Sequence, residues 1–430
     1  MNTQDINRKI APASESLSFS GFPAFTEKKI NDRFPCYCFE NFNSEVVRLD
    51  IVVDAGSWIQ QKPLQASSMA RMMTEGTKEY NAFRIAETID FSGAYLDVTA
   101  SNHNTTISIF AVKHILEKLF PLLRSIMTES VFPEEEFRVI LANNKQEFII
   151  GNKKVMSLAR RIFPSMIYGE NHPYGKILKE SDFDNLATED LKQLYNQLPL
   201  GSSRCYIGGN IDSNVISSLS EMMQHISTRE NGIAEKESEI QPSTDKERVI
   251  EIEDAVQSAI MLGIPVVGRS HPDFPLLVLT NTILGGYFGS RLMKSIREEK
   301  GFTYGISSGI ALRNKASHLS IQTEVKSEIT QLALDEIFRE ISRLSAEKVM
   351  MDELNIARNY IFGSLLRSLD GPFALTERLM GVHSINLDPE KYFRYYWDTI
   401  ASATPEDVLR TAEKYLRPDE MRVLIVGNKN

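Results

Sequence analysis

The sequence predicts an α+β chain of two tandem homologous domains, each an antiparallel β-sheet with helices packed mainly on one face. Three observations carry this. Runs of apolar–polar alternation, the period of a half-buried strand, are interleaved with runs of helical period along the chain. The order of these runs recurs after about 217 residues. A stretch rich in Glu, Lys, Ser, Thr and Gly with Pro242, residues 228–247, lies between the two copies and reads as a linker. The expected division is 1–227, linker 228–247, and 248–430. With 430 residues, 42% hydrophobic and 24% charged, the chain has material for more than one core.

In order, Cys36-Tyr-Cys-Phe and Val46–Val53 alternate as strands. Residues 64–75 and 81–91 read as helices, followed by strands over Tyr95–Ala100 and Thr105–Val112. Helical patterns cover 114–129 and 133–150. The second starts with Pro133 and three glutamates, which suit the positive end of a helix. Further helices are expected at 155–167, 187–197 and 212–227, with a strand from Arg204 that ends in Gly208-Gly-Asn. The second copy repeats the order: strands at 248–254 and 257–264, helices at 273–284 and 288–299, strands at 303–313 and 318–325, helices at 327–345, 350–368 and 372–386. Three anchors hold one register. Glu189 matches Glu406, Gly209-Asn210 matches Gly427-Asn428, and Glu135-Glu136-Phe137 matches Asp352-Glu353-Leu354.

A net charge of −9 argues against nucleic acid, whose binding rests on Lys and Arg contacts to phosphate, and against an anionic membrane surface. No run has the apolar length that spans a bilayer and no secretory leader is visible, so a cytoplasmic location is expected. Cys36, Cys38 and Cys205 are too few and too odd in number for a disulfide framework and read as reduced thiols. The seven histidines form no HxxxH, HExxH or HxxEH spacing, and there is no P-loop and no GxSxG.

The stretch Ile283–Gly305 carries the most chemistry. Gly285, Gly286 and Gly289 fall within five residues, which fits close backbone approach, flexibility, or a helix-to-helix turn of positive φ. A helical segment with Arg297 follows, then a break at Gly301 and a strand expected from near Phe302. That arrangement would set Arg297 and Tyr304 on one wall of a cleft. A guanidinium and a phenol placed together can grip a peptide carbonyl or a developing oxyanion.

Ala55-Gly56-Ser57, Glu75-Gly76-Thr77 and Ser92-Gly93-Ala94-Tyr95 in the first copy, with Gly285-Gly286, Ser290-Arg291-Leu292, Arg297–Gly301 and Thr303-Tyr304-Gly305 in the second, resemble the pitrilysin/insulinase-type zinc metallopeptidases. Processing-peptidase subunits and the core subunits of the respiratory bc1 complex belong to the same superfamily. The resemblance implies an inverted zinc motif, His-x-x-Glu-His, on the helix before Gly76-Thr77, with a downstream Glu as third ligand. The matching positions here are Ser67, Ala70 and Arg71, and Glu147 lies in the region of the third ligand. The resemblance thus implies a chain that binds no metal and has no cofactor of its own. It implies a dimer with a homologous zinc-bearing chain, which would carry the zinc. Arg297 and Tyr304 would complete that partner's site on an unfolded peptide. The alternative is a catalytically inactive structural or peptide-binding protein, as the bc1 core subunits are.

Overall fold

In a computed structural model the described residues are 17–41, 43–226, 235 and 237–428. The first copy contains β1 (Thr26–Ile30), β2 (Phe34–Glu40), β3 (Val46–Val53), α1 (Gln65–Met72), α2 (Ala82–Phe91), β4 (Tyr95–Ala100), β5 (Thr105–Val112), α3 (Lys113–Glu129), α4 (Glu134–Asn152), α5 (Val155–Tyr168), α6 (Glu180–Asp184), α7 (Thr188–Tyr195), β6 (Arg204–Gly209) and α8 (Ser213–Gln224). The second contains β7 (Glu247–Glu251), β8 (Gln257–Val266), α9 (Phe274–Asn281), β9 (Ile306–Leu312), β10 (Ser317–Lys326), α10 (Thr330–Ala346), α11 (Met351–Arg367), α12 (Pro372–His383), α13 (Pro389–Ser402), α14 (Pro405–Tyr415) and β11 (Arg422–Gly427). Of the expected linker, residues 237–246 form neither helix nor strand; 228–234 and 236 lie outside the described residues.

The duplication is visible in the strand order. One sheet runs β1-β2-β6-β3-β5-β4 and the other β7-β11-β8-β10-β9. Apart from the extra edge strand β1, the orders correspond strand for strand. Each sheet is antiparallel except for one pair, β2 with β6 and β7 with β11, where the last strand of the copy inserts between β2 and β3 or between β7 and β8. Sequence pattern shows only that a strand is half-buried, so it does not reveal this parallel pairing.

Each sheet has two covered faces. Leu49, Ile51, Ile107 and Ile109 pack on their own copy's helices, with Met69, Leu116 and Leu123. Ile260, Leu262, Leu319 and Ile321 do the same with Leu277, Ile337 and Ile341. The opposite face of each sheet takes a helix from the other copy. Phe163 and Met166 of α5 join one cluster with Ala259, Met261, Leu424 and Val426 of β8 and β11. Leu375, Leu379 and Val382 of α12 join Phe39, Val52 and Tyr206 of β2, β3 and β6. Burying each such large side chain stabilises by about 1.5–3 kcal/mol relative to exposure. The exchange explains why Ser258–Ile264 is buried at every residue, the signature of a strand covered on both faces. Backbone bonds from Gln241 to Tyr168 O and from Ser243 to Met166 O tie the connecting segment to the end of α5.

Candidate functional site

The helix expected to carry metal chemistry forms as α1. Buried Gln65 fixes its start: the Oε1 accepts from the backbone N–H of Gln61 at 2.8 Å, and the Nε2 donates to Asp190 O at 2.8 Å. Ala66, Met69, Ala70 and Met72 bury the inner stripe. Ser67 and Arg71, four residues apart, are left exposed as neighbours on one face, where an i, i+4 ligand pair would sit. The Ser67 hydroxyl donates to Leu64 O at 3.1 Å. Arg71 pairs with Glu75 at 2.8 Å, and Ala70 is 1% exposed. Glu147 is exposed on α4, which packs against α1. A hydroxyl, a methyl group and a guanidinium are not a zinc donor set, and a fixed cation opposes a dication. Among the described residues no group of three His, Cys, Asp or Glu is placed to hold a metal. The residues present do not fit zinc.

The glycine-rich segment forms two π-helical turns, Thr282–Gly286 and Met293–Glu299. Single π-turns within helices are often found at functional sites. Gly285, Gly286 and Gly289 do not have positive φ, so the turn of positive φ does not form here; Gly301, at φ 64°, closes the second segment. What Gly285 supplies is room. A Cβ there would lie 2.7 Å from Ser308 Oγ and 2.9 Å from Ser308 N on β9.

Arg297 sits on the second π-turn, its guanidinium 4.5 Å from the centroid of the Phe288 ring. The turn is held from beneath. Ser295 Oγ donates to Glu336 Oε1 at 2.5 Å, and Glu336 is 6% exposed. Arg291 grips Glu353 of α11 with two hydrogen bonds of 2.8 and 2.9 Å. Glu336 and Glu340 escaped sequence reasoning. Their signal is two acids on the buried stripe of α10, between Ala333, Ile337 and Ile341.

Tyr304 is 96% exposed. The strand expected from Phe302 begins only at Ile306. Thr303 Oγ1 donates to Glu324 O at 2.7 Å and accepts from Gly305 N at 3.1 Å, which takes residues 303–305 out of the ladder. Tyr304 borders a cleft of about 360 Å³ with Met156 and Arg160 of α5. Arg297 and Tyr304 flank one helix–strand junction, but among the described residues no hydrogen bond joins them, and Arg297 does not line this cleft.

Sequence reasoning also missed a polar cavity of about 660 Å³ where the ends of both sheets meet. Arg204, Arg269, Arg313 and His383 line it. On its wall His103 bridges Tyr174 OH and Glu235, each at 2.6 Å. Burial, with Arg204 nearby, holds the His383 imidazole below its usual range. Behind the β9–β10 turn, burial and then Arg313 push His318 down to about 4. The three cysteines are free and buried, with Cys36 and Cys38 sulfurs 3.8 Å apart. No described helix is long and apolar enough to cross a membrane.

Residues 38–162 match the family model "Insulinase (Peptidase family M16)", and residues 185–361 match "Peptidase M16 inactive domain". A Helicobacter pylori protein named non-peptidase homolog YmxG is 23% identical over 70% of this chain and 69% of its own length. The mitochondrial-processing peptidase subunit beta of Saccharomyces cerevisiae is 21% identical over 90% of this chain and 87% of its own. A crystal structure of a peptidase M16 inactive domain from Pseudomonas fluorescens superposes with a TM-score of 0.84 at 21% identity, over 94% of this chain and 98% of that one. Both copies of the duplicated fold are thus matched by descriptions of one family, and the chain belongs to peptidase family M16, the insulinase family.

Proposed function

We propose that this chain is the zinc-free subunit of an M16-type peptidase, binding an unfolded peptide and completing the site of a homologous zinc-bearing chain. The observation that carries the reading is the asymmetry between the copies. α1 has lost every metal-binding side chain at Ser67, Ala70 and Arg71, whereas Tyr304 stands almost fully exposed and Arg297 is held on a braced π-turn. An exposed phenol with no partner among the described residues suits a donor for a carbonyl or oxyanion presented by another chain. The Tyr304 hydroxyl donates to the scissile carbonyl or to the oxyanion that develops from it, and Arg297 orients the peptide. Among the described residues the outer edge of β9 pairs with no other strand, so an extended peptide can add there as a further strand. Zinc and the water it activates belong to the partner in this scheme.

The test mixes this chain with a homologous chain that carries His-x-x-Glu-His and follows cleavage of an unfolded peptide. Turnover is expected only in the mixture. Tyr304→Phe and Arg297→Ala are each expected to lower kcat by about 10²-fold, the usual loss of one oxyanion donor. Full activity of both variants in the mixture removes the in-trans role. An inactive mixture leaves the reading seen in the bc1 core subunits, a structural or peptide-binding chain.

A further inference from the structure

The two copies differ at one place where their residues correspond one for one. α4 and α11 are related by a shift of 217 residues, and so are α5 and α12. In the first copy Phe148 of α4 is buried and meets Phe183 at 5.2 Å. The Arg161 guanidinium of α5 lies 4.0 Å over the Phe148 ring and donates to Asn152. The corresponding residues in the second copy are Leu365 and Arg378. Leucine lacks the ring on which the arginine would stack. Among the described residues the Arg378 side chain takes part in no hydrogen bond, ion pair or ring contact, and it lines a cavity of about 560 Å³ between α9, α11, α12, α13 and β9.

The lining has two properties. Its walls are largely apolar, with Phe274, Val278, Ile310, Leu365, Val382 and Phe393. Two guanidinia border it without a carboxylate partner among the described residues, those of Arg378 and of Arg269, which donates to Gly381 O at 3.2 Å. The acid on the lining, Glu377, has a side chain 73% exposed and lies 3.9 Å from Arg48.

We propose that this cavity binds the C-terminal residue of a peptide whose last side chain is large and apolar. The side chain enters the apolar walls, and the terminal carboxylate meets Arg378 and Arg269. The site belongs to this chain alone and is independent of Arg297 and Tyr304, so its failure and the failure of in-trans catalysis are read in separate experiments.

The test is fluorescence polarisation on the full chain. The probe is a labelled hexapeptide ending in Phe with a free carboxylate, compared with its C-terminal amide and with the same peptide ending in Asp. Saturable binding of the Phe acid is expected, with the amide and the Asp peptide weaker by at least about tenfold, the scale of one charge-assisted hydrogen bond. Arg378→Gln, an exposed position, is expected to bring the Phe acid down to the level of the amide. Leu365→Phe, which restores the filling of the first copy, is expected to abolish binding while circular dichroism stays that of the parent. Equal affinity for acid and amide, undiminished binding by a folded Leu365→Phe, or binding of octanoate without binding of the Phe peptide each overturns the proposal.

Discussion

The two exchanged helices sit on equivalent sheet faces through different chemistry. Under α12 the central strand β3 presents Arg48 and Asp50. Asp50 is 0% exposed; it accepts from Arg48 Nε at 2.7 Å and Ser108 Oγ at 2.6 Å, while Arg48 Nη1 donates to Phe373 O at 3.1 Å. Under α5 the corresponding strand β8 presents Ala259 and Met261 in the same register against the last strand of its copy. Close approach is managed alike in both. A Cβ on Gly208 would lie 2.8 Å from Pro372 O, and one on Gly263 would lie 2.8 Å from the Phe163 ring. Each interface also has a tyrosine–histidine bond with the roles exchanged, Tyr206 of the sheet with His383 of α12 and Tyr168 of α5 with His318 of the sheet. Shape complementarity is common to the two interfaces, and the polar anchor is particular to one.

The contrast can be broken by substitution. Arg48→Ala leaves a fully buried carboxylate without its cation and is expected to cost about 3–5 kcal/mol, read from urea denaturation. A cost under about 1 kcal/mol would mean that α12 is seated without help from this ion pair, as α5 is. Acid is expected to act next most strongly, and on the α5 interface first. The folded pKa of His318 is about 4, below the ordinary 6.5, so the folded state holds it neutral. Its contribution is therefore complete above pH 6.5 and is lost as pH falls from 6.5 through 4, by about 3 kcal/mol at most. His383 is shifted in the same direction, chiefly by burial, and adds to the slope. Urea midpoints between pH 7 and 4 should fall less steeply in His318→Gln; an unchanged slope would assign the acid sensitivity elsewhere. The smallest effect sharpens the comparison of the filled and open helix clefts. Phe148→Leu removes the ring beneath Arg161 and is expected to cost about 1 kcal/mol by thermal denaturation.

Much of this architecture was legible in the chain. The anchors at Glu189/Glu406 and Gly209/Gly427 gave the repeat, and alternation with helical period located most elements. Residues 389–427 carry two further helices and β11, for which only the matching of Pro405–Val408 and Gly427 offered a signal. The exchange of α5 and α12 was hidden because an apolar stripe does not say which sheet it will meet. The π-turns were hidden because one extra residue per turn leaves the apolar spacing nearly helical. At the candidate site, Ser67, Ala70 and Arg71 were readable from their spacing to Gly76-Thr77. Tyr304 was expected on a strand, but the Thr303 hydroxyl satisfies the local backbone and leaves the phenol on a turn.

The exchanged helices also set an order of events during synthesis. β6 ends at Gly209, but the helix that covers its outer face starts only at Pro372. At ordinary elongation rates the ribosome needs roughly 10–30 s to make the chain between them. Through that interval a sheet face carrying Phe39, Val52 and Tyr206 is open to other chains. A fragment ending before residue 372 is expected to aggregate where the full chain does not.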